Sequence, residues 1–273
     1  MLAKLIKLEF KSTYQKFLPL YLTLFVFIVM GVINLNYGLP PGESIIYDSF
    51  NALLTAFYVL SLIAVVVVTG VLIVMRFYKN FLTDQGYLIF TLPATVEQHV
   101  LAKLIVAFVW TTLSTCALLL SLLALFSTQV GSWNNMLLTI NQGYEMALFH
   151  MGDQFHSTLI IIILYLIISP ISSTLMYYLA MSFGQLSRTH KILTSIGAYL
   201  AISIVLQLVS SLFASLFMPK YYQIMETTID PTVEMAFSFM NSTFIFSLLL
   251  NIALAVGSFF LVSYLLKNKL NLE

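Results

Sequence analysis

The residues able to do chemistry in this chain are few: four histidines, one cysteine and eleven acids among 273 residues. His99, His150, His156 and His190 all fall between apolar runs, and Cys116 lies inside one. His150 and His156 could form a metal pair with Asp153, but loop histidines near an acid are ordinarily solvated, and no further ligand converges on them. One cysteine allows neither a disulfide framework nor a thiolate metal site. No G-x-x-x-x-G-K-[ST] phosphate loop occurs, so the chain does not hydrolyse ATP by itself. No acid, Lys, Arg or His is expected deep inside an apolar run, which weakens proton-coupled transport and intramembrane proteolysis. The polar groups within those runs are Thr111, Thr115, Gln207 and Asn251, together with Thr112 and Ser114. They could line a path or join helices, and helix glue or back-bonding is the simpler account.

These groups must be positioned by membrane helices. Hydrophobic residues make up 60% of the chain and charged ones 8%, against about 25% charged in a soluble domain. A span needs roughly 20 mainly apolar residues. Six runs qualify, near Phe17–Leu35, Ala52–Met75, Val100–Phe126, Leu159–Phe183, Ile192–Phe217 and Phe244–Leu266. Their continuity, without alternation, favours helices over a barrel. The fold expected is an all-α integral membrane protein, one transmembrane domain over residues 1–273. The first run is too long for a cleaved signal peptide.

Orientation follows from the basic residues. Eleven of the twelve Lys and Arg, with four acids, fall in one alternating set of segments, leaving +7 there. Lys220 and seven acids share the other set, leaving −6. The positive side reads as cytoplasmic, so both termini are expected inside, in a cell membrane. The net charge of +1 says little by itself, and no nucleic-acid partner is expected.

Residues 1–16 read as an amphipathic interfacial helix. Lys4, Lys7, Lys11 and Gln15 share one face, and Leu2, Ile6, Phe10, Thr13 and Phe17 the other; the lysines would turn toward anionic membrane lipid. Residues 76–99 form a cytoplasmic elbow. Arg76–Asp84 can extend the second span or form a short separate helix. Gly86 suits a helix end, Pro93 blocks continuation, and Thr95 with Gln98 opens a capping box for the third span. On the outer side, 127–158 contains a possible interfacial helix over Met136–Met151. In 218–241, Asp230-Pro231 should start a short helix that breaks near Asn241-Ser242. Ser169-Pro170 should kink the fourth span. Gly197/Ala201 and Ala253/Gly257 weakly suggest close helix packing.

With this layout, and with RFYKN at Arg76–Asn80, GYLIFTLP at Gly86–Pro93 and LAKL at Leu101–Leu104, the chain resembles the permease subunits of type-2 ABC exporters, especially the short permeases of Gram-positive bacteria. The resemblance covers nearly the whole chain as topology. It implies that the elbow is a coupling helix docking on a separate ATP-binding cassette ATPase subunit through Lys79, Asn80, Phe81, Leu82, Thr83, Asp84, Gln85, Gly86 and Tyr87. It implies ATP and Mg on that partner, no cofactor here, and a second permease copy or paralogue enclosing the path. The aromatic share of 14% suits an amphipathic peptide, a lipid or a hydrophobic drug as cargo. The competing readings are a channel or secondary carrier, and a non-transporting scaffold or immunity protein.

Overall fold

The computed structural model describes residues 2–37, 45–81, 94–152, 154–187, 190–227 and 233–268. These form seven helices: α1 (Leu2–Tyr37), α2 (Ile45–Phe81), α3 (Val96–Gln129), α4 (Trp133–Met151), α5 (Gln154–Gly184), α6 (Lys191–Thr227) and α7 (Val233–Asn268). No strand occurs among the described residues. All except α4 contain a stretch long and apolar enough to cross a membrane. The chain is a multi-pass membrane protein, and helices satisfy its backbone groups where no water can.

Helix ends follow local chemistry. Thr95 caps α3, its Oγ1 accepting from the Gln98 N–H at 3.3 Å, as the T-x-x-Q spacing predicts. Ser132 caps α4 in the same way through the Asn135 N–H at 3.2 Å. α4 stops at Gly152, whose φ of 52° is left-handed and whose N–H reaches the Leu148 carbonyl at 2.9 Å, a conformation that favours glycine. The helix expected over Met136–Met151 is therefore present as α4.

Two expected boundaries are absent. The stretch 1–16 forms no separate helix, because α1 runs unbroken through Leu2–Tyr37 with Pro19 inside it. At 36 residues it is about 54 Å long, well beyond the hydrocarbon core of about 30 Å. Its early turns stay in line because they have protein partners, described below. The break near Asn241-Ser242 is also absent, since α7 is continuous over Val233–Asn268. Neither glycine nor proline stands there, and Asn, Ser and Thr only mildly disfavour a helix. The expected cap at Asp230-Pro231 lies outside the described residues. Pro170 sits inside α5.

The chain divides into two compact units. The first comprises Met1–Arg76 and Leu101–Gly143, so it holds α1, most of α2 and most of α3. The second comprises Phe77–Val100 and Tyr144–Glu273. In the second, α5 packs against both α6 and α7, most extensively against α7. Tyr177 stacks on Tyr199 of α6 at 5.3 Å, and Tyr165 meets Phe244 of α7 edge-on at 6.3 Å. Buried residues at these helices include the small Ser172, Ala180 and Ser258, the kind that lets membrane helices approach closely.

The tightest approach was not visible in the sequence. A methyl group added at Gly184, ending α5, would overlap Ser195 Oγ of α6 and lie 2.6 Å from the Lys191 carbonyl oxygen. Gly197 and Gly257, the small residues singled out by spacing, have nothing within 4 Å of an added methyl. Gly184→Ala should therefore destabilise the chain by about 1–3 kcal/mol through overpacking. Gly197→Ala and Gly257→Ala should be neutral or stabilising by up to about 1 kcal/mol. Thermal unfolding in detergent checks the ranking; equal effects at the three sites would contradict it.

Candidate functional site

The most distinctive chemistry lies in the first unit, where three helices meet around one carboxylate. Arg76, from α2, donates through Nε to Glu9 Oε1 at 2.5 Å and through Nη2 to Oε2 at 3.1 Å. Lys103, from α3, donates through Nζ to Oε1 at 2.9 Å. Arg76 Nη2 also donates to Ser12 Oγ, whose own hydroxyl donates to the Glu9 carbonyl at 2.9 Å. The side chains are 13% (Glu9), 23% (Arg76) and 6% (Lys103) exposed. The guanidinium engages both carboxylate oxygens, a strong and directional pairing. One anion against two cations leaves this cluster at +1.

The next layer is aromatic. Trp110 of α3 donates its indole N–H to Thr13 Oγ1 at 2.9 Å. The rings of Phe10 and Phe17, two turns apart with Thr13 between them, lie nearly parallel to the indole at 4.9 and 4.3 Å. Val106 completes the buried core here, with Ile6, Leu20, Tyr21 and Leu72 against it. Beyond it, Ser114 of α3 bonds Tyr21 of α1 at 2.8 Å and Thr69 of α2 at 2.9 Å. Tyr58 of α2 and Ser121 of α3 pair at 3.2 Å. At the far end Asn34 donates to Asn51 and accepts from the Tyr47 hydroxyl at 3.0 Å.

These ties fix direction. Along α1 the partners on α2 run backwards from Arg76 to Asn51, while those on α3 run forwards from Lys103 to Ser114, which also bonds Thr69 of α2 between those two α2 positions. The three helices are thus arranged up, down, up. The ionic layer and the asparagine layer are 25 residues apart in α1 (Glu9 to Asn34) and 25 in α2 (Asn51 to Arg76), or about 37 Å by helical rise. That distance exceeds a hydrocarbon core of about 30 Å, long enough for both polar layers to lie at its margins, where charge is tolerated.

The residues singled out from sequence are placed as follows. Lys79 is exposed and Asn80 half-buried at the end of α2. Phe81 is fully buried: it packs on Phe77 at 5.1 Å and edge-on to His99 at 6.4 Å, and Phe77 stacks on Tyr178 of α5 at 4.0 Å. Its ring is therefore taken up within the second unit. Leu82, Thr83, Asp84, Gln85, Gly86 and Tyr87 lie outside the described residues. Thr111 and Thr115 bond back to carbonyls of their own helix at 2.9 Å, and Asn251 does so to Ser247 at 2.8 Å. Gln207 is exposed on α6. These four are not brought together into one site by any hydrogen bond among the described residues. No cluster of three metal-ligating side chains occurs among the described residues.

Glu9, Ser12 and Trp110 were missed by sequence reasoning. The available signal was the helical spacing of Leu2, Ile6, Glu9, Thr13 and Phe17, which puts an acid on the apolar face of a helix whose other face is basic. Lys103, three residues inside the apolar run starting at Val100, was the matching signal on α3.

The cluster can hold three helix ends together. Glu9→Gln should destabilise the chain by about 3–5 kcal/mol, because it leaves two cations facing each other in a mostly buried site. Combining Glu9→Gln with Lys103→Gln should recover part of that loss, with a coupling of about 0.5–3 kcal/mol in a double-mutant cycle. Strict additivity would show that the two side chains are energetically independent.

No protein-family model, curated protein or solved structure matches this chain, so the functional reading rests on its own residues.

Proposed function

We propose that this chain is the membrane-embedded permease subunit of an ATP-driven exporter in a bacterial cell membrane. A separate ATP-binding cassette subunit binds and hydrolyses Mg-ATP, and a second permease copy or a paralogue completes the path. The cargo is amphipathic or apolar. The observation that carries the reading is the set of six apolar helices combined with the resemblance over Arg76–Leu104.

The connection between α2 and α3 supports this reading. α2 continues past Arg76 to Phe81, and α3 begins at Val96 under its Thr95 cap. Arg76, near the end of α2, and Lys103, near the start of α3, meet Glu9 at one end of the first unit. That end belongs to the Lys- and Arg-rich set of segments, which the positive-inside rule assigns to the cytoplasm. A chain without a phosphate loop must receive mechanical work through such a surface. The burial of Phe81 divides the labour: Phe77 and Phe81 anchor the end of α2 from within, and Lys79 is exposed at the surface.

Co-expression with a neighbouring ATPase and weighing of the purified complex tests the assignment. A complex with two ATPase subunits and two permeases, and cargo-stimulated hydrolysis, is expected. Lys79→Glu should weaken the complex while the chain stays inserted. Phe81→Ala should instead destabilise the chain by about 3–5 kcal/mol. For orientation, a cysteine at Lys11 should react only with reagents applied inside, and one at Glu145 only from outside. Failure of any ATPase to associate, or outside labelling at Lys11, would overturn the reading.

A further inference from the structure

We infer that Lys4, Lys7 and Lys11 form a binding site for the headgroups of anionic phospholipids, with Glu9 as its positioning residue. The three lysines fall within an arc of about 60° on α1, opposite Thr13 and Phe17. All three are exposed, and none is paired with an acid among the described residues. The neighbouring acid, Glu9, is turned away and held by Arg76 and Lys103 at 2.5 and 2.9 Å. The ridge thus carries three uncompensated positive charges. It cannot roll inward, because the opposite face is bonded to α3 through Trp110 and Thr13.

The ligand class follows from what lies along the ridge. Lys4 to Lys11 spans about 10 Å by helical rise, comparable to the headgroup layer of one leaflet, about 5–8 Å deep. Leu8, on the same face, is 66% exposed. A free anion has no use for it, whereas a phospholipid offers glycerol and acyl carbon beside its phosphate. Anionic lipid next to a ridge of lysines is favoured over zwitterionic lipid by charge alone. This inference depends on membrane residence and not on the transport reading.

The test reconstitutes the purified chain into vesicles of equal phosphatidylcholine and phosphatidylglycerol, extracts it mildly, and counts retained lipids by native mass spectrometry. Phosphatidylglycerol should be enriched over its share of the vesicle, and less so as salt is raised. A lysine near an anionic surface is worth about a fivefold preference, so K4Q/K7Q/K11Q should return the ratio to that of the vesicle. These side chains are exposed, so the variant should keep its fold, and circular dichroism verifies this. E9Q keeps all three lysines and should still lose enrichment as the first turns of α1 are released. Unchanged enrichment in K4Q/K7Q/K11Q overturns the site. Displacement of phosphatidylglycerol by excess inorganic phosphate overturns the lipid assignment in favour of a free anion. Full enrichment in E9Q overturns the positioning role.

Discussion

A carboxylate near hydrocarbon must be neutralised by partners, because water is scarce and the cost of a bare charge is several kcal/mol. Glu9 meets that demand with a guanidinium from α2 and an ammonium from α3. The rest of the first unit follows from satisfying it. To bring Arg76 and Lys103 to one carboxylate, α2 must return antiparallel to α1, and α3 must then rise parallel to it. Trp110 can reach Thr13 only once that register is set, one layer further in. Ser114 can then serve Tyr21 and Thr69 at once. Each polar layer confirms the register of the previous one, which apolar packing alone specifies weakly in a membrane, where lipid is as apolar as leucine.

The two units rely on different means. In the first, buried side chains and hydrogen bonds tie α1, α2 and α3 at five levels, from Glu9 to Asn34. In the second, the contacts of α5 are made by stacked aromatics and small residues, with Gly184 packed directly on the start of α6. The end of α2 belongs to this second unit, where Phe77 and Phe81 are buried.

Much of this was legible in the sequence, because a bilayer imposes long apolar runs and these stand out in composition. The six spans and the Thr95 cap rest on such local rules. What escaped were features that depend on partners distant in sequence. Glu9 read as one acid in a basic flank because its partners are 67 and 94 residues away. The break expected at Asn241-Ser242 assumed that a helix of about 54 Å is too long; span length limits only the part in lipid, and α7 continues beyond it. Gly184 is a single glycine without a spacing motif, so nothing local marked it. Phe81 was given a docking role only through the resemblance, and its burial against Phe77 and His99 depends on contacts that no local pattern marks.

The distance between Glu9 and Lys103 along the chain has a consequence for biogenesis. The two are separated by 94 residues, which at roughly 5–20 residues per second takes about 5–20 s to synthesise. Arg76 arrives earlier, 67 residues after Glu9. α1 therefore waits at the membrane with its carboxylate unmatched until α2 returns, and the cluster closes only when the first turns of α3 emerge. The tie between α1 and α3 at this carboxylate therefore cannot form before the first turns of α3 have been made.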